Sequence, residues 1–281
     1  MTTSEDRELA IRAAWLSYVA GRNQADIAGQ LGVSRVKVHR LIAQAHDQGL
    51  VKVRIEHELS ELVELEERLR CRFALDVCIV VPSLGPAPHQ GDHDPGLVAL
   101  GTAGARLLER RLAAAQPLTV GLGAGRTLAA MIEQIRPADH ARHRFVALNG
   151  SLTRHSSANP YDAIHRMVER TRSDGYYLPV PYIADTLDDK AVFTAQKLVQ
   201  DVLALARCSD LCLVGIGQCS PDSFLKTHGL ITDREFAELR AAGAVGDVIS
   251  RFFDAEGRLV DSEVNQRSIG LELDDLRTLP V

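Results

Sequence analysis

The sequence predicts an α/β protein in which a small N-terminal helix-turn-helix unit of winged-helix-like plan precedes a larger body built on a parallel sheet. Three observations carry this. The first fifty or so residues hold short helical periodicities separated by glycines and opened by Asn and Ser; from Asp76 onward, short apolar runs alternate with helical stretches; and the charge changes sign between the two. Residues 1–56 contain eight Lys/Arg and six Asp/Glu, a net +2, which leaves −7 for the remainder of a chain whose total is −5. A polyanion is drawn to the first part and repelled by the second.

Length and composition narrow the class. A chain of 281 residues, 46% hydrophobic and 25% charged, has ample apolar surface for a packed core and is no disordered tail. No apolar run approaches the roughly 18 residues a bilayer span needs, and Met1 to Ala10 lacks the basic-then-apolar order of a signal peptide, so a soluble, cytoplasmic protein without membrane contact is expected. Five cysteines (Cys71, Cys78, Cys208, Cys212, Cys219) form an odd set without C-x-x-C. They read as reduced core residues.

The first helix, Ser4 to Ala20, sets Leu9, Ala13, Leu16 and Ala20 on one stripe with Trp15 beside it, and Gly21 closes it. Asn23 caps a second helix, Gln24 to Leu31. Gly32-Val33 breaks the chain, and Ser34 caps a third helix. In that helix Val38, Leu41, Ile42 and Ala45 recur at helical spacing and form the buried face. The opposite side then carries Val36, Lys37 and Arg40, flanked by Arg35 and His39. Arg and Lys pair with guanine edges or phosphates, and a small exposed apolar group sits against a thymine methyl. Gly49 ends the helix. Leu50 to Glu56 alternates as a half-exposed strand that presents Lys52 and Arg54 on one face. Ser34, Arg35, Val36, Lys37, His39, Arg40 and Lys52 are therefore the candidate contacts to double-stranded DNA. The competing reading is a helical subdomain with a solvated charged face.

Leu59 to Phe73 places Leu59, Leu62, Leu65, Leu69 and Phe73 three or four apart among Glu and Arg, a narrow seam of about two heptads. Pairing with a second subunit and packing on the following domain both fit. The domains thus run 1–57, 58–75 (the linker helix) and 76–281. In the last, strands are expected at Val77 to Val81, Leu118 to Leu122, Phe145 to Leu148, Tyr176 to Val180 and Leu211 to Ile216. Crossover helices are expected at Leu97 to Leu112, Thr127 to Ile135, Ala158 to Arg172 and Ala191 to Ala206. Pro82 to Pro95 is a Pro/Gly/His loop.

In such sheets ligands collect at the carboxyl ends of the strands. Gly121-Leu122-Gly123-Ala124-Gly125-Arg126-Thr127 lies there, its glycines letting backbone N–H groups approach an oxyanion at a helix start. It matches neither G-x-G-x-x-G nor a P-loop, which disfavours a dinucleotide or ATP. Asn149-Gly150-Ser151 and Gly215-Ile216-Gly217 are two more small-residue loops at strand ends, and together the three predict a polar-ligand pocket. Asp247 suits sugar hydroxyls and Arg267 an anion, though each equally suits a surface ion pair. His89, Asp92, His93 and Asp94 read as a solvated loop, so no metal and no cofactor is expected. Ser220-Pro221-Asp222 reads as a turn and helix cap, and Asp185, Asp188 and Asp189 suit the positive end of a helix.

Taken in order, Gln24-Ala25-Asp26-Ile27-Ala28 with Leu31 to Val38, the Gly121 to Thr127 loop, Leu178-Pro179-Val180-Pro181, Asp210 to Gly217, and Gly243 to Asp247 continuing to Arg251-Phe252-Phe253-Asp254 give a chain that resembles the SorC family of sugar-responsive bacterial transcriptional regulators over nearly its full length. The resemblance implies an effector domain similar to sugar-phosphate isomerase and CoA transferase folds, a sugar or sugar-phosphate effector, and a dimer or tetramer. By motif it places Gly123, Gly125, Arg126 and Thr127 at the anionic end, Asn149 and Gly150 along the pocket, Asp247 at hydroxyls, and Arg267 at the family's late basic position. Asn149 to Arg154 contains no lysine, so covalent capture of an aldehyde is not implied. The expected function is regulation of a carbohydrate or polyol catabolic operon, without catalysis. The rival is an isomerase-like enzyme with an added helical module.

Overall fold

The computed structural model describes residues 4–51, 60–82, 95–150 and 163–281. Contacts divide the chain into two compact units, 1–65 and 66–281.

In the first unit, α1 (Ser4–Tyr18), α2 (Gln24–Leu31) and α3 (Arg35–Asp47) surround a core of Ala10, Ala13, Ala14, Leu16, Ile27, Ala28, Val38, Leu41 and Ala45. The local signals behave as the sequence predicts. Asn23 Oδ1 accepts from the Ala25 and Asp26 N–H groups at 2.9 and 3.0 Å, Gly32 closes α2 in the left-handed region at φ 64°, and Ser34 Oγ accepts from Lys37 N–H at 3.2 Å. Lys52 and most of the expected strand after Gly49 lie outside the described residues.

α4 (Ser60–Phe73) contains the boundary between the units, and none of its described side chains, Glu61 to Phe73, is buried. The chain then turns at Ala74 (φ 51°), and Val80 N–H donates to the Glu66 carboxylate at 2.8 Å. Val77 to Val81 is not a strand: its β-prone side chains find no strand partner among the described residues, and Val77 and Ile79 are exposed.

The second unit continues with α5 (Pro95–Leu112), β1 (Thr119–Leu122), α6 (Arg126–Gln134), β2 (Arg144–Ala147), α7 (Ala163–Thr171), β3 (Asp174–Tyr176), α8 (Leu187–Ala195), α9 (Lys197–Ala206) and β4 (Leu211–Leu213). The strands form one parallel sheet in the order β3-β2-β1-β4. Consecutive residues of β1 and β2 are buried whichever way they point, as expected of a sheet covered on both faces. Phe145, Leu108, Leu122, Ile132, Leu148 and Met167 centre its core.

Three departures have local causes. β3 stops at Tyr176 because Pro179 and Pro181 offer no N–H to a ladder. The expected helix from Ala191 to Ala206 is two helices, broken at Gln196, whose ψ of 130° ends α8 and opens α9. The run Leu211 to Ile216 ends β4 at Leu213, and Ile216 starts a strand of a different sheet.

That second sheet is antiparallel, β5 (Ile216–Gln218), β6 (Gly246–Val248) and β7 (Arg251–Phe253) in the order β5-β6-β7. α10 (Phe224–Thr227) and α11 (Asp233–Ala241) lie between β5 and β6, and α12 (Glu263–Arg267) and α13 (Leu273–Leu276) close the chain. Tyr182, Leu230, Leu239, Phe252 and Val264 belong to a separate core beside this sheet. Cys212 and Cys219 are buried, but Cys71 and Cys208 are exposed and Cys78 is half-buried, so the expectation of core cysteines holds for two of the five.

Candidate functional site

In the first unit, α3 buries Val38, Leu41 and Ala45 and turns the opposite side outward. Val36 is 81% exposed, Ser34, Arg35, His39 and Arg40 are exposed, and Lys37 is half-buried. The first turn carries no acidic residue. An exposed valine between two cations, at the positive end of a helix, is a surface suited to a groove lined with phosphates and base edges.

The second unit contains a cavity of about 220 Å³ beyond the carboxyl ends of β1, β2 and β4. Its size is below the roughly 300–1,000 Å³ of drug-sized sites, which suits a metabolite of a few carbons. On one side is the start of α6. Gly125 holds φ 143°, a backbone that disfavours any side chain, and no side chain caps the helix. The first-turn N–H groups at Arg126, Thr127 and Leu128 have no intrahelical acceptor, and all three residues line the cavity, an arrangement suited to an anion. Asn149, buried at the end of β2, and Tyr182 line the cavity nearby.

The other side comes from the antiparallel sheet. Gly215, Ile216, Gly217, Gln218, Asp247, Ile249 and Ser250 line it. β5 pairs with β6 so that Gly217 stands opposite Asp247; a Cβ at 217 would lie 2.1 Å from Asp247 Oδ1. The absent side chain is what gives the carboxylate its place. Burial pushes the Asp247 pKa up to about 6, opposed by the Ser250 N–H that donates to Oδ2 at 3.2 Å. Such a carboxyl exchanges between donor and acceptor near neutrality, which suits hydroxyl groups better than anions.

Gly125, Arg126, Thr127, Asn149, Gly215, Gly217 and Asp247 thus meet at one cavity. The remaining candidates do not. Gly121 lies within β1, where a Cβ would strike Leu148 at 2.5 Å; Gly123 N–H donates to Leu213 O at 2.9 Å; Gly150 abuts the Pro181 carbonyl. Gly121 and Gly150 serve packing, whereas Gly123 has room for a Cβ and is tied to β4 through its backbone. Arg267 is corrected most firmly: it is buried, donates to Ala184 O at 2.7 Å and Asp185 O at 3.1 Å, and pairs with Glu235, so it clamps backbone rather than ligand. Sequence reasoning missed Tyr182, Gln218, Ile249 and Ser250, and set Ser220 and Asp222 aside as a turn, although both line the wall with Ser223. Among the described residues no group of three or more His, Cys, Asp or Glu stands ready to hold a metal.

Residues 57–281 match the family model described as "Putative sugar-binding domain". Over 270 residues the chain is 38% identical to the Erythritol catabolism regulatory protein EryD of Brucella abortus, covering 96% of this chain and 84% of that one. The chain belongs to the SorC family of sugar-binding transcriptional regulators. A second member, the Deoxyribonucleoside regulator of Bacillus subtilis, is 30% identical over 275 residues, 97% of this chain and 85% of the other. The full-length Sorbitol Operon Regulator SorC of Klebsiella pneumoniae shares the fold with a TM-score of 0.64 at 24% identity, covering 98% of this chain and 87% of that structure. Membership makes this protein a transcriptional regulator with a sugar-binding body. No helix of the described residues is long and apolar enough to cross a membrane.

Proposed function

We propose that α3 reads operator DNA through Ser34, Arg35, Val36, Lys37, His39 and Arg40, with Lys52 on phosphate, and that a short polyol, sugar or its phosphate in the cavity controls that binding. The single observation that supports this best is Val36, 81% exposed on a helix whose opposite face is buried. Exposure alone would not mark a partner, but this valine stands between Arg35 and Lys37 on the face that also carries Arg40, where it suits a thymine methyl beside phosphate- and guanine-seeking cations. The effector's anionic end sits at Gly125, Arg126 and Thr127, its hydroxyls at Asn149 and Asp247. The names of two relatives, which refer to erythritol and to deoxyribonucleosides, support a four- or five-carbon skeleton.

The protein works without a cofactor and without turnover, in the cytoplasm. Supporting this, none of the three body lysines lines the cavity: Lys190 donates to Gln266 O at 2.8 Å, Lys197 pairs with Asp201, and Lys226 lies over Phe236. The isomerase reading has no lysine in the cavity and would have to use Asp222, the second acid on its wall, beside Asp247. The protein assembles as a homodimer or homotetramer, a reading supported by α4, whose seam of Leu62, Leu65, Leu69 and Phe73 has no buried member.

The test is a mobility-shift titration on the DNA upstream of the protein's own gene, with erythritol, erythritol 4-phosphate, ribose 5-phosphate and 2-deoxyribose 5-phosphate as effectors. We expect a retarded complex weakened by Lys37→Ala and altered by at least one effector. No complex at low salt refutes the DNA reading. A complex indifferent to every sugar, with no thermal shift by any of them, refutes the effector reading.

A further inference from the structure

β6 and β7 are joined by two residues only, Ile249 and Ser250, since Val248 pairs with Arg251. Both have positive φ, 45° and 65°. A two-residue hairpin with both central residues left-handed is the arrangement that favours Asn-Gly, Asp-Gly or Gly-Gly. A β-branched residue there is a steric outlier, and a serine in second place is strained where glycine would be relaxed. Strain of this kind persists where the surroundings enforce it and collects at binding sites.

Both residues line the cavity. Ser250 is 2% exposed; its N–H donates to Asp247 Oδ2 and its carbonyl accepts from Ser268 Oγ at 2.9 Å. Its own Oγ is buried with no hydrogen-bond partner among the described residues. A buried hydroxyl left unpaired is unfavourable. Two separate penalties therefore fall on one side chain, and glycine would incur neither. Neither penalty is offset among the described residues, and both fall at a cavity wall beside the carboxyl assigned to effector hydroxyls.

We propose that Ser250 is an effector-contacting residue: its Oγ pairs with a hydroxyl of a polyhydroxylated ligand next to Asp247, so that the Ile249–Ser250 turn selects a hydroxylated carbon over a deoxygenated one. The inference rests on the reading of this cavity as the effector site. The ligand then spans from the start of α6, which takes an anionic group, to the turn, which takes a neutral hydroxyl-bearing end.

The experiment uses the full chain with Ser250→Gly and Ser250→Ala, titrated calorimetrically with erythritol, erythritol 4-phosphate, ribose 5-phosphate and 2-deoxyribose 5-phosphate. Ser250→Gly relieves the backbone, so its melting temperature is expected to rise by about 2–4 °C. Ser250→Ala keeps the strain and removes only the hydroxyl. Both variants should bind the preferred hydroxylated probe about tenfold more weakly, with a smaller preference for ribose 5-phosphate over 2-deoxyribose 5-phosphate. If the wild type binds a probe and both variants bind it equally well, the Ser250 assignment falls and the effector site stands. A wild type that binds none of the four overturns the effector site and the Ser250 assignment together.

Discussion

Replacing Asp247 by Asn should stabilise the second unit near neutral pH and leave it unchanged in acid. The folded carboxyl has a pKa of about 6 against an ordinary 3.8, raised by burial. A folded pKa above the unfolded one means that the folded chain holds a proton between about pH 4 and 6 which the unfolded chain has already lost. Stability from this group is therefore complete below pH 4, falls through that window, and is lacking above pH 6. At about 1.4 kcal/mol per pH unit, the deficit at pH 7 is roughly 3 kcal/mol. Asp247 is not wholly closed to solvent, which places the expected value toward about 2 kcal/mol. Asn cannot ionise, and its carbonyl oxygen still accepts from Ser250 N–H. The gain of Asp247→Asn over wild type should thus grow from near zero at pH 4 to about 2–3 kcal/mol at pH 7. Urea unfolding followed by circular dichroism at several pH values measures it. The tryptophan signal is unsuitable, because Trp15 is the sole tryptophan and belongs to the other unit. A difference between variant and wild type that stays constant from pH 4 to 7 would show that the Asp247 carboxyl is not held in a desolvated state.

Other consequences are equally concrete. Arg267→Ala should cost about 3 kcal/mol in the same unfolding measurement, because the Ala184 and Asp185 carbonyls and the half-buried Glu235 all lose the same buried cation; a loss below about 1 kcal/mol would return Arg267 to consideration as a ligand residue. Gly217→Ala should preserve the circular dichroism spectrum and weaken effector binding at least tenfold by calorimetry, since its Cβ needs the space of Asp247 Oδ1; unchanged affinity would contradict the carboxylate's role. Ser34→Ala should destabilise the first unit by about 1 kcal/mol through loss of its cap, read by Trp15 fluorescence. Val36→Ala should change that stability by less than about 0.5 kcal/mol yet weaken the operator complex in a mobility-shift assay.

The parts of this molecule that sequence reveals are those whose cause is local. Asn23, Gly32 and Ser34 mark helix ends because their own side chains or backbone angles make the cap, and the spacing of Val38, Leu41 and Ala45 determines which face of α3 is left exposed. β1, β2 and β4 start at or within a residue of the expected positions because a doubly covered strand is an unbroken apolar run. Propensity does not supply a partner, however. Val77 to Val81 has the composition of a strand and no strand beside it among the described residues. Arg267 shows the same limit in charge form: its character as a cation is plain from sequence, but the partner, Glu235, lies 32 residues away and is found only in the fold.

The cavity divides along the same line. Its first wall, Gly125 to Thr127 with Asn149, follows from the rule that ligands collect where parallel strands end, and this rule needs only the order of elements. Its second wall is the antiparallel sheet, whose strands are three residues long, contain Gly217 and Gly246, and show too little alternation to register as strands. Yet a signal is present in retrospect. Ile249 and Ser250 are poor residues for the turn they occupy, and a sequence that departs from local preference at one point while following it elsewhere is expected to do so where something outside the chain compensates. The wall that sequence patterns hide is therefore the wall where specificity for the effector should be sought: on the proposed reading, the start of α6 would tell a phosphate from none, and the turn beside Asp247 would tell one hydroxylated skeleton from another.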